Sequence, residues 1–464
     1  MQPPPSLWWS ALAQPLVPRP ALGEDLDVDV AIVGGGYTGL WTARELKRRD
    51  PELRVAVIEK EVCGFGASGR NGGWASSFYP VSDDGVLARY GEDAYRHLRS
   101  SLQLAVRSLG EAIATDGIDA HFIQGGTLTF ARSPLQVARL QDHVRAAAAL
   151  GQSSDDLCWL GEGEARSRGD LAGVLGATYS PHCARIHPAL LVRGLAEVNE
   201  RLGVSIFEHT PVTRIVGRTT THAPMALTPG GTVRANLIVR ATEGFTPTLP
   251  GLRRAVAPIY SLMIASAPQS SAFWAKVGLA NYETFADDRH LIIYGQRTND
   301  DRIAFGGRGA PYHFGSSVEE RYDRSPRVFS LLETTLRELF PALEGDVTHR
   351  WGGPLAMPRD FSPSVWVDER RGLASAGGYT GDGVVLSYVA ANALADLITD
   401  PDTPTSTTTL PFVERQSKKW EIEPLRWIGI NAGLGLAARA DRAEEGGRQS
   451  KASAWLERLL DKPN

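Results

Sequence analysis

Val28-Asp29-Val30-Ala31-Ile32-Val33-Gly34-Gly35-Gly36-Tyr37-Thr38-Gly39, answered further on by Ile58-Glu59, decides the fold. The first six residues are rich in β-branched side chains, with acids before them and glycines after, which predicts a buried strand. Gly39 to Arg49 reads as a helix stopped by Asp50-Pro51, and Arg54 to Ile58 as a second apolar strand. A strand, helix and strand within about thirty residues make a βαβ unit, with parallel strands and a right-handed crossover. Gly34, Gly36 and Gly39 form a G-x-G-x-x-G across its first turn. The first glycine allows a tight turn, the second a close backbone approach to a pyrophosphate, and the third close packing of helix on strand. The helix end there offers free N–H groups and about half a positive charge to phosphates. Glu59 at the end of the second strand would accept hydrogen bonds from ribose hydroxyls and repel a phosphorylated ribose. The other reading is a glycine turn without a ligand, but strand, turn, helix and acid all agree on a dinucleotide.

The fingerprint serves FAD and nicotinamide cofactors alike, and the next segment separates them. Gly64-Phe65-Gly66-Ala67-Ser68-Gly69-Arg70-Asn71-Gly72-Gly73-Trp74 is a second glycine-rich loop that can run alongside an extended cofactor, with Ser68, Arg70 and Asn71 as polar contacts. Beyond it the pattern predicts helices over 83–116, from 132 to 150, over 190–202, 318–339 and 384–399. Strands are expected at 125–131, 204–207, 212–216, 237–239, 258–265, 291–294 and 302–305, with more short strands between 350 and 383. The organisation expected is α/β (α+β overall). A Rossmann-like cofactor domain is built from 27–82, 155–257 and 346–400. A mixed or antiparallel substrate domain is built from 83–154 and 258–345. An N-terminal arm, 1–26, carries Trp8 and Trp9 as surface anchors. A proline- and threonine-rich linker and a tail of two or three polar helices complete the chain over 401–464.

The 464 residues, 42% hydrophobic and 22% charged, suit two or three globular domains. A net charge of -4 with no basic block argues against nucleic acid. Three cysteines without C-x-x-C spacing and ten scattered histidines predict neither a disulfide framework nor a metal centre. No apolar run is long enough to span a membrane, and the proline-rich start lacks the pattern of a secretory signal, so a cytoplasmic location is expected.

Taken together, the Gly34–Gly39 fingerprint, Glu59 and the string Gly66-Ala67-Ser68-Gly69-Arg70-Asn71-Gly72-Gly73 resemble the D-amino-acid oxidase-like flavoproteins. The resemblance is greatest to the branch with γ-glutamylputrescine oxidase and glycine/sarcosine-type oxidases. Ile186-His187-Pro188, Thr210-Pro211-Val212, Ala241-Thr242-Glu243-Gly244, Trp351-Gly352-Gly353 and Gly377 to Val384 extend it over about residues 27–396. It implies a noncovalent FAD held by Gly34, Gly36, Tyr37, Thr38, Gly39, Glu59, Lys60, Gly66, Ala67, Ser68, Arg70, Asn71, Gly72, Gly73 and Trp74. Val212 would meet the adenine, with Ala241 and Thr242 nearby. Trp351, Gly378, Tyr379, Thr380, Gly381, Asp382, Gly383 and Val384 would close over the flavin. A helix starting after Gly383 would aim its positive end at charge developing on the reduced ring. Many relatives carry histidine where this chain has Asp382; a carboxylate there either points away, or is protonated or paired with a cation, or makes oxygen a less favoured acceptor, and the last predicts weaker reactivity with oxygen.

The resemblance further implies oxidation of the carbon next to nitrogen in a small amine or amino acid, with oxygen or another acceptor taking the electrons. The cofactor does the hard step and the protein positions the substrate. Candidate catalytic or pocket residues are Trp351, Tyr260, Asp382 and Arg308, with Trp74, Tyr294 and Tyr379 as further walls. Arg308 could grip a carboxylate in bidentate fashion, or simply form an ion pair. Tyr260 and Tyr294 alternate with apolar neighbours and read equally as core. His187, next to Pro188 at a helix start, reads as a cap. A flavin monooxygenase and a noncatalytic FAD-binding subunit are the competing functions, and oligomeric state is not legible.

Overall fold

Period-two alternation in the first strand, Leu26–Val33, sends its side chains two ways. Val30 and Ile32 join a core made with the helices Tyr37–Arg49, Asp83–Thr115, Pro188–Arg201 and Gly383–Thr399, while Ala31 and Val33 enter a smaller core on the other face. The computed structural model describes residues 5–307, 309 and 311–445. Its first sheet runs in the order Ser364–Asp368, Leu373–Gly377, Gly231–Arg240, Leu26–Val33, Val55–Ile58, Ser205–Phe207. The pairs from Leu373–Gly377 to Ser205–Phe207 are parallel, as the βαβ reading requires. The helix Gly383–Thr399 is apolar on nearly every side and accordingly lies buried between this sheet and the helix Tyr37–Arg49.

The second sheet runs Val347–Met357, Ala257–Ser266, Ile303–Gly307, Ile293–Arg297, Thr284–Asp287, Thr127–Ala131, Gly176–Ser180, Cys158–Gly161. The sheets therefore divide the chain at other points than the sequence reading: 158–180 and 347–357 pair in the second sheet. The helix Asp83–Thr115 contributes Val86, Leu102 and Leu109 to the first core. Strands at Thr284–Asp287, Cys158–Gly161 and Gly176–Ser180 carry too few consecutive apolar residues to stand out locally; cross-strand pairing defines them.

Three further expectations are corrected. Trp8 and Trp9 are not surface anchors: they sit in a short helix, Leu7–Ser10, capped by Ser6, and each is 2% exposed. The indole N–H of Trp8 donates to the carbonyl of Asn71 at 2.8 Å, which ties the arm beneath the second glycine loop. The helix expected over 318–339 begins only at Pro326, because the residue before a proline avoids the helical region and proline suits the first turn. The tail, in its described part, has one helix, Leu425–Glu445, after an extended stretch in which the Trp420 indole donates to the Met357 carbonyl at 2.8 Å. The rest of the expected helical tail, 446–464, lies outside the described residues. No helix among the described residues is long and apolar enough to cross a membrane.

Candidate active site

The glycine turn after the first strand opens a cavity at the end of the first sheet. Gly34, Gly36, Tyr37 and Thr38 line it, with Glu59 and Lys60 from the second strand's end and Gly66, Ala67 and Ser68 from the second loop. Val212, Ala241 and Thr242 close it. The amides of Gly36 and Thr38 have no acceptor among the described residues, whereas that of Tyr37 donates to Ser68 Oγ at 2.9 Å. A side chain at Gly36 would place its Cβ 2.9 Å from Ser68 Oγ. Free amides at a helix start, a carboxylate opposite and backbone open to close approach match what a dinucleotide pyrophosphate and ribose need. Glu59 accepts from the amides of Gly35 and Glu61 at 2.7 and 2.9 Å, and Lys60 reaches outward to Glu61. Gly39 touches no ligand space: it lets the helix close on the Gly34 carbonyl.

Ala67 also lines a second cavity, of about 390 Å³. One side of it is the loop Arg70, Asn71, Gly72 and Trp74 with Gly381, Asp382 and Val384; the other is a face of the second sheet. The register puts one row across that face: Trp351, Met263, Gly306, Tyr294, Ala286, Thr129, Thr178, Trp159. Tyr294 shares a hydrogen bond with Ser261 at 2.8 Å, and the buried indole N–H of Trp74 has no partner among the described residues. Asp287 is bound bidentately by Arg289 at 2.6 to 3.0 Å, and Asp288 is bound by Arg139 at 2.7 Å. Burial pushes the Asp288 carboxyl up to about 6 against the pull of Arg139.

Several expected site residues fall elsewhere. Tyr260 is fully buried on the opposite side of its strand from Ser261 and Met263; strand parity turns it into the core beside Tyr322, with Glu319 N donating to its hydroxyl at 3.2 Å. Trp351 is also fully buried, and its indole donates to the Arg70 carbonyl at 2.8 Å, so it supports the loop from behind. Arg70 lines the cavity, yet its guanidinium is committed to Asp323 at 2.6 Å and the Gly352 carbonyl at 2.9 Å. Arg308 lies outside the described residues. Gly73 packs on Gln296 and Gly383 on Tyr379, whose hydroxyl bonds Thr38 Oγ1 at 3.1 Å. The Thr380 amide is tied to the Ala356 carbonyl at 3.2 Å. His187 caps its helix through Nδ1, as read.

Sequence reasoning missed Asp287, Arg289, Ser261, Phe78 and Met263 in the cavity wall. It also passed over Glu243, the variable position of the A-T-x-G turn. Its carboxylate accepts from the Gly378 amide at 2.7 Å and so pins the closing loop to the turn. An acid inside an otherwise small-residue turn was the available signal, and the structure holds it at φ 40°. Burial raises both Glu59 and Glu243 to about 7, with backbone amides opposing the shift. Folded pKa values above the unfolded one mean that stability is fully present below about pH 4.5 and lost as pH rises through about 7. Apoprotein stability is therefore expected to fall by about 1 kcal/mol per glutamate between pH 6 and pH 8. Thermal unfolding of the apoprotein checks this, and Glu243→Gln should remove about half of that slope; a flat profile would contradict it.

The family model described as FAD dependent oxidoreductase matches residues 29–397. The chain is 28% identical over 396 residues to the gamma-glutamylputrescine oxidoreductase of Escherichia coli (strain K12), covering 85% of this chain and 88% of that protein. It is 27% identical over 389 residues to the glycine oxidase of Geobacillus kaustophilus (strain HTA426), covering 81% and 94%. The crystal structure of glycine oxidase from Geobacillus kaustophilus superposes with a TM-score of 0.70 at 24% identity, over 85% of this chain and 100% of that one, which supports the fold.

Proposed function

This chain belongs to the DAO family of FAD-dependent oxidoreductases, and from that premise we propose that it oxidises the carbon–nitrogen bond of a small amine or amino acid in the second cavity. The observation that carries the reading is that Ala67 lines both cavities: a cofactor held at the glycine turn would lie next to the sheet-walled chamber. FAD bound there supplies a two-electron acceptor for hydride.

The residues around it do the positioning. The amides of Asn71 and Gly72 have no acceptor among the described residues and belong to the cavity wall. Trp74, Phe78, Met263, Ile292 and Leu355 make the apolar part of the wall, against which the carbon chain of an amine would pack, while Asp287, Asp288, Arg289 and Asp382 line the rest. With FAD held there, the carbon–hydrogen bond would break with its electron pair leaving as hydride, and the nitrogen lone pair would form the iminium. Water then adds, giving a carbonyl compound and the free amine or ammonium. Dioxygen, giving hydrogen peroxide, or another two-electron acceptor would take up the two electrons. The three cysteines are free thiols, consistent with a reducing compartment.

Anaerobic bleaching of the flavin by a panel of amines and D- and L-amino acids tests the proposal. Bleaching by at least one of them supports it; bleaching by reduced nicotinamide alone, or by nothing, overturns it. Asp382 stands in the wall at the start of the helix Gly383–Thr399. Reoxidation of the bleached protein in air is expected to be slow, and Asp382→His to speed it about tenfold, the equivalent of roughly 1.4 kcal/mol. A reoxidation rate already fast and unmoved by the substitution would contradict that role.

A further inference from the structure

The first sheet has a second face, turned away from the helix Tyr37–Arg49, and a cavity of about 390 Å³ opens on it. Strand parity builds its floor. Val239 and Ala374 turn to the helical core, so Ile238, Arg240, Leu373 and Ser375 turn the other way. The register lays two rows across three strands: Trp366, Ser375 and Arg240, and next to it Asp368, Leu373 and Ile238. Leu249, Leu252 and Val256, from the segment after the A-T-x-G turn, add aliphatic wall. Lys419 also lines the cavity and comes from chain beyond the family match. No residue of this wall is shared with the chamber proposed for the amine, whereas Thr242, Glu243 and Leu249 line both this cavity and the dinucleotide cavity.

Arg240 is the unexpected member, a cation at the end of an apolar strand run. Its Nε and Nη2 both donate to Ser375 Oγ, at 3.2 and 3.0 Å, and its Nη1 donates to none of the described residues. Its Cζ lies 5.9 Å from the centre of the half-buried Trp366 ring. No carboxylate among the described residues forms an ion pair with it. Glu243 acts on it only through space, because its own carboxylate accepts from the Gly378 amide at 2.7 Å. Burial outweighs that attraction and lowers Arg240 to about 10, which leaves it a cation at pH 7. A guanidinium drawn out of water without a counter-charge carries a desolvation cost that a bound anion would offset. The exposed part of the lining is cationic on balance as well. Arg371 and Lys419 form no ion pair among the described residues, against Asp368, which accepts from the Arg371 amide at 3.0 Å.

We propose that this cavity is a second ligand site, and that it takes an organic carboxylate with an apolar body. The acid group pairs with Arg240, and the body packs on Trp366 and the aliphatic wall. A small inorganic anion would satisfy Arg240 but leave that wall in water. An uncharged apolar molecule would cover the wall and deepen the desolvation of the guanidinium. The site stands independently of what is oxidised on the other sheet.

Calorimetry on the intact holoenzyme separates these cases with three probes: octanoate, 1-octanol and inorganic phosphate. Octanoate is expected to bind at one site per chain, about tenfold tighter than either of the others. Arg240→Met keeps the apolar stem and removes the guanidinium. It should weaken octanoate at least about tenfold, to the level of 1-octanol, and leave 1-octanol unchanged. Arg240→Lys, which keeps the charge, should recover part of the octanoate affinity. Trp366→Leu should weaken octanoate and 1-octanol alike, by severalfold. Circular dichroism and flavin absorption verify the fold of each variant. Absence of octanoate binding overturns the site, as does phosphate or 1-octanol binding as tightly as octanoate. Octanoate affinity unmoved by Arg240→Met also overturns it, by placing the acid elsewhere on the protein.

Discussion

Gly39→Ala is expected to yield a folded but colourless protein whose affinity for FAD has fallen by at least about 100-fold. The added Cβ would lie 2.0 Å from the Gly34 carbonyl oxygen and 3.1 Å from Ile32 Cγ2. Neither side can give way cheaply. Gly34 sits at φ +114°, and a Cβ there would itself meet the Ala241 carbonyl oxygen at 2.5 Å, so the turn is held tightly from its other side. The helix Tyr37–Arg49 must instead move off the strand, and it is packed against the helix Gly383–Thr399. Overpacking of this kind costs roughly 1–3 kcal/mol, and the displaced helix start takes the Gly36 and Thr38 amides away from the cavity they serve. Titration of the apoprotein with FAD, followed by flavin fluorescence, reads the loss. Gly433→Ala in the helix Leu425–Glu445 is the control, because nothing lies within 4 Å of its added Cβ and alanine favours the helix. A yellow Gly39→Ala protein with ordinary affinity would mean that the turn does not hold the cofactor.

The same geometry explains what the sequence could and could not disclose. The βαβ unit was legible because each of its signals is local: a β-branched run, glycines at fixed offsets, and an acid at the end of the next strand. The second loop was legible for the same reason. Tyr260 was not, because its sidedness depends on how Ala257–Ser266 registers against Val347–Met357, some ninety residues on. The threonine end of the second sheet carried half of a signal, since Thr127-Leu128-Thr129-Phe130 alternates visibly. Its other half, Thr178 and Ser180, joins it only through pairing across about fifty residues of chain. Arg289 and Asp287 sit at the end of a four-residue strand recognisable only from its partners. Long-range pairing chose these residues, and no periodicity within a short window encodes it.

Trp8 was misplaced for the same physical reason, and its replacement is the second large effect expected. Its indole is 2% exposed and lies edge-on to His187 and Trp351, with ring centroids 5.2 and 6.1 Å away. Two consecutive carbonyls of the glycine loop are held by two indoles: Arg70 by Trp351 and Asn71 by Trp8, each at 2.8 Å. In a trans peptide the N–H points opposite to the C=O, so fixing these carbonyls also fixes the amides of Asn71 and Gly72. Those are the amides left without an acceptor among the described residues. Trp8→Ala removes the clasp and leaves a cavity, with an expected loss of about 3–5 kcal/mol in stability. FAD binding should weaken at least about tenfold as the loop loosens, a cost of roughly 1.4 kcal/mol. Trp8→Phe separates the two contributions: it keeps most of the packing and removes only the N–H. Its melting temperature should recover most of the way, while FAD affinity stays several-fold down and the flavin absorption bands shift. If Trp8→Phe instead restores both stability and FAD affinity in full, the indole N–H is only a passenger in the core and the loop holds its amides in place unaided.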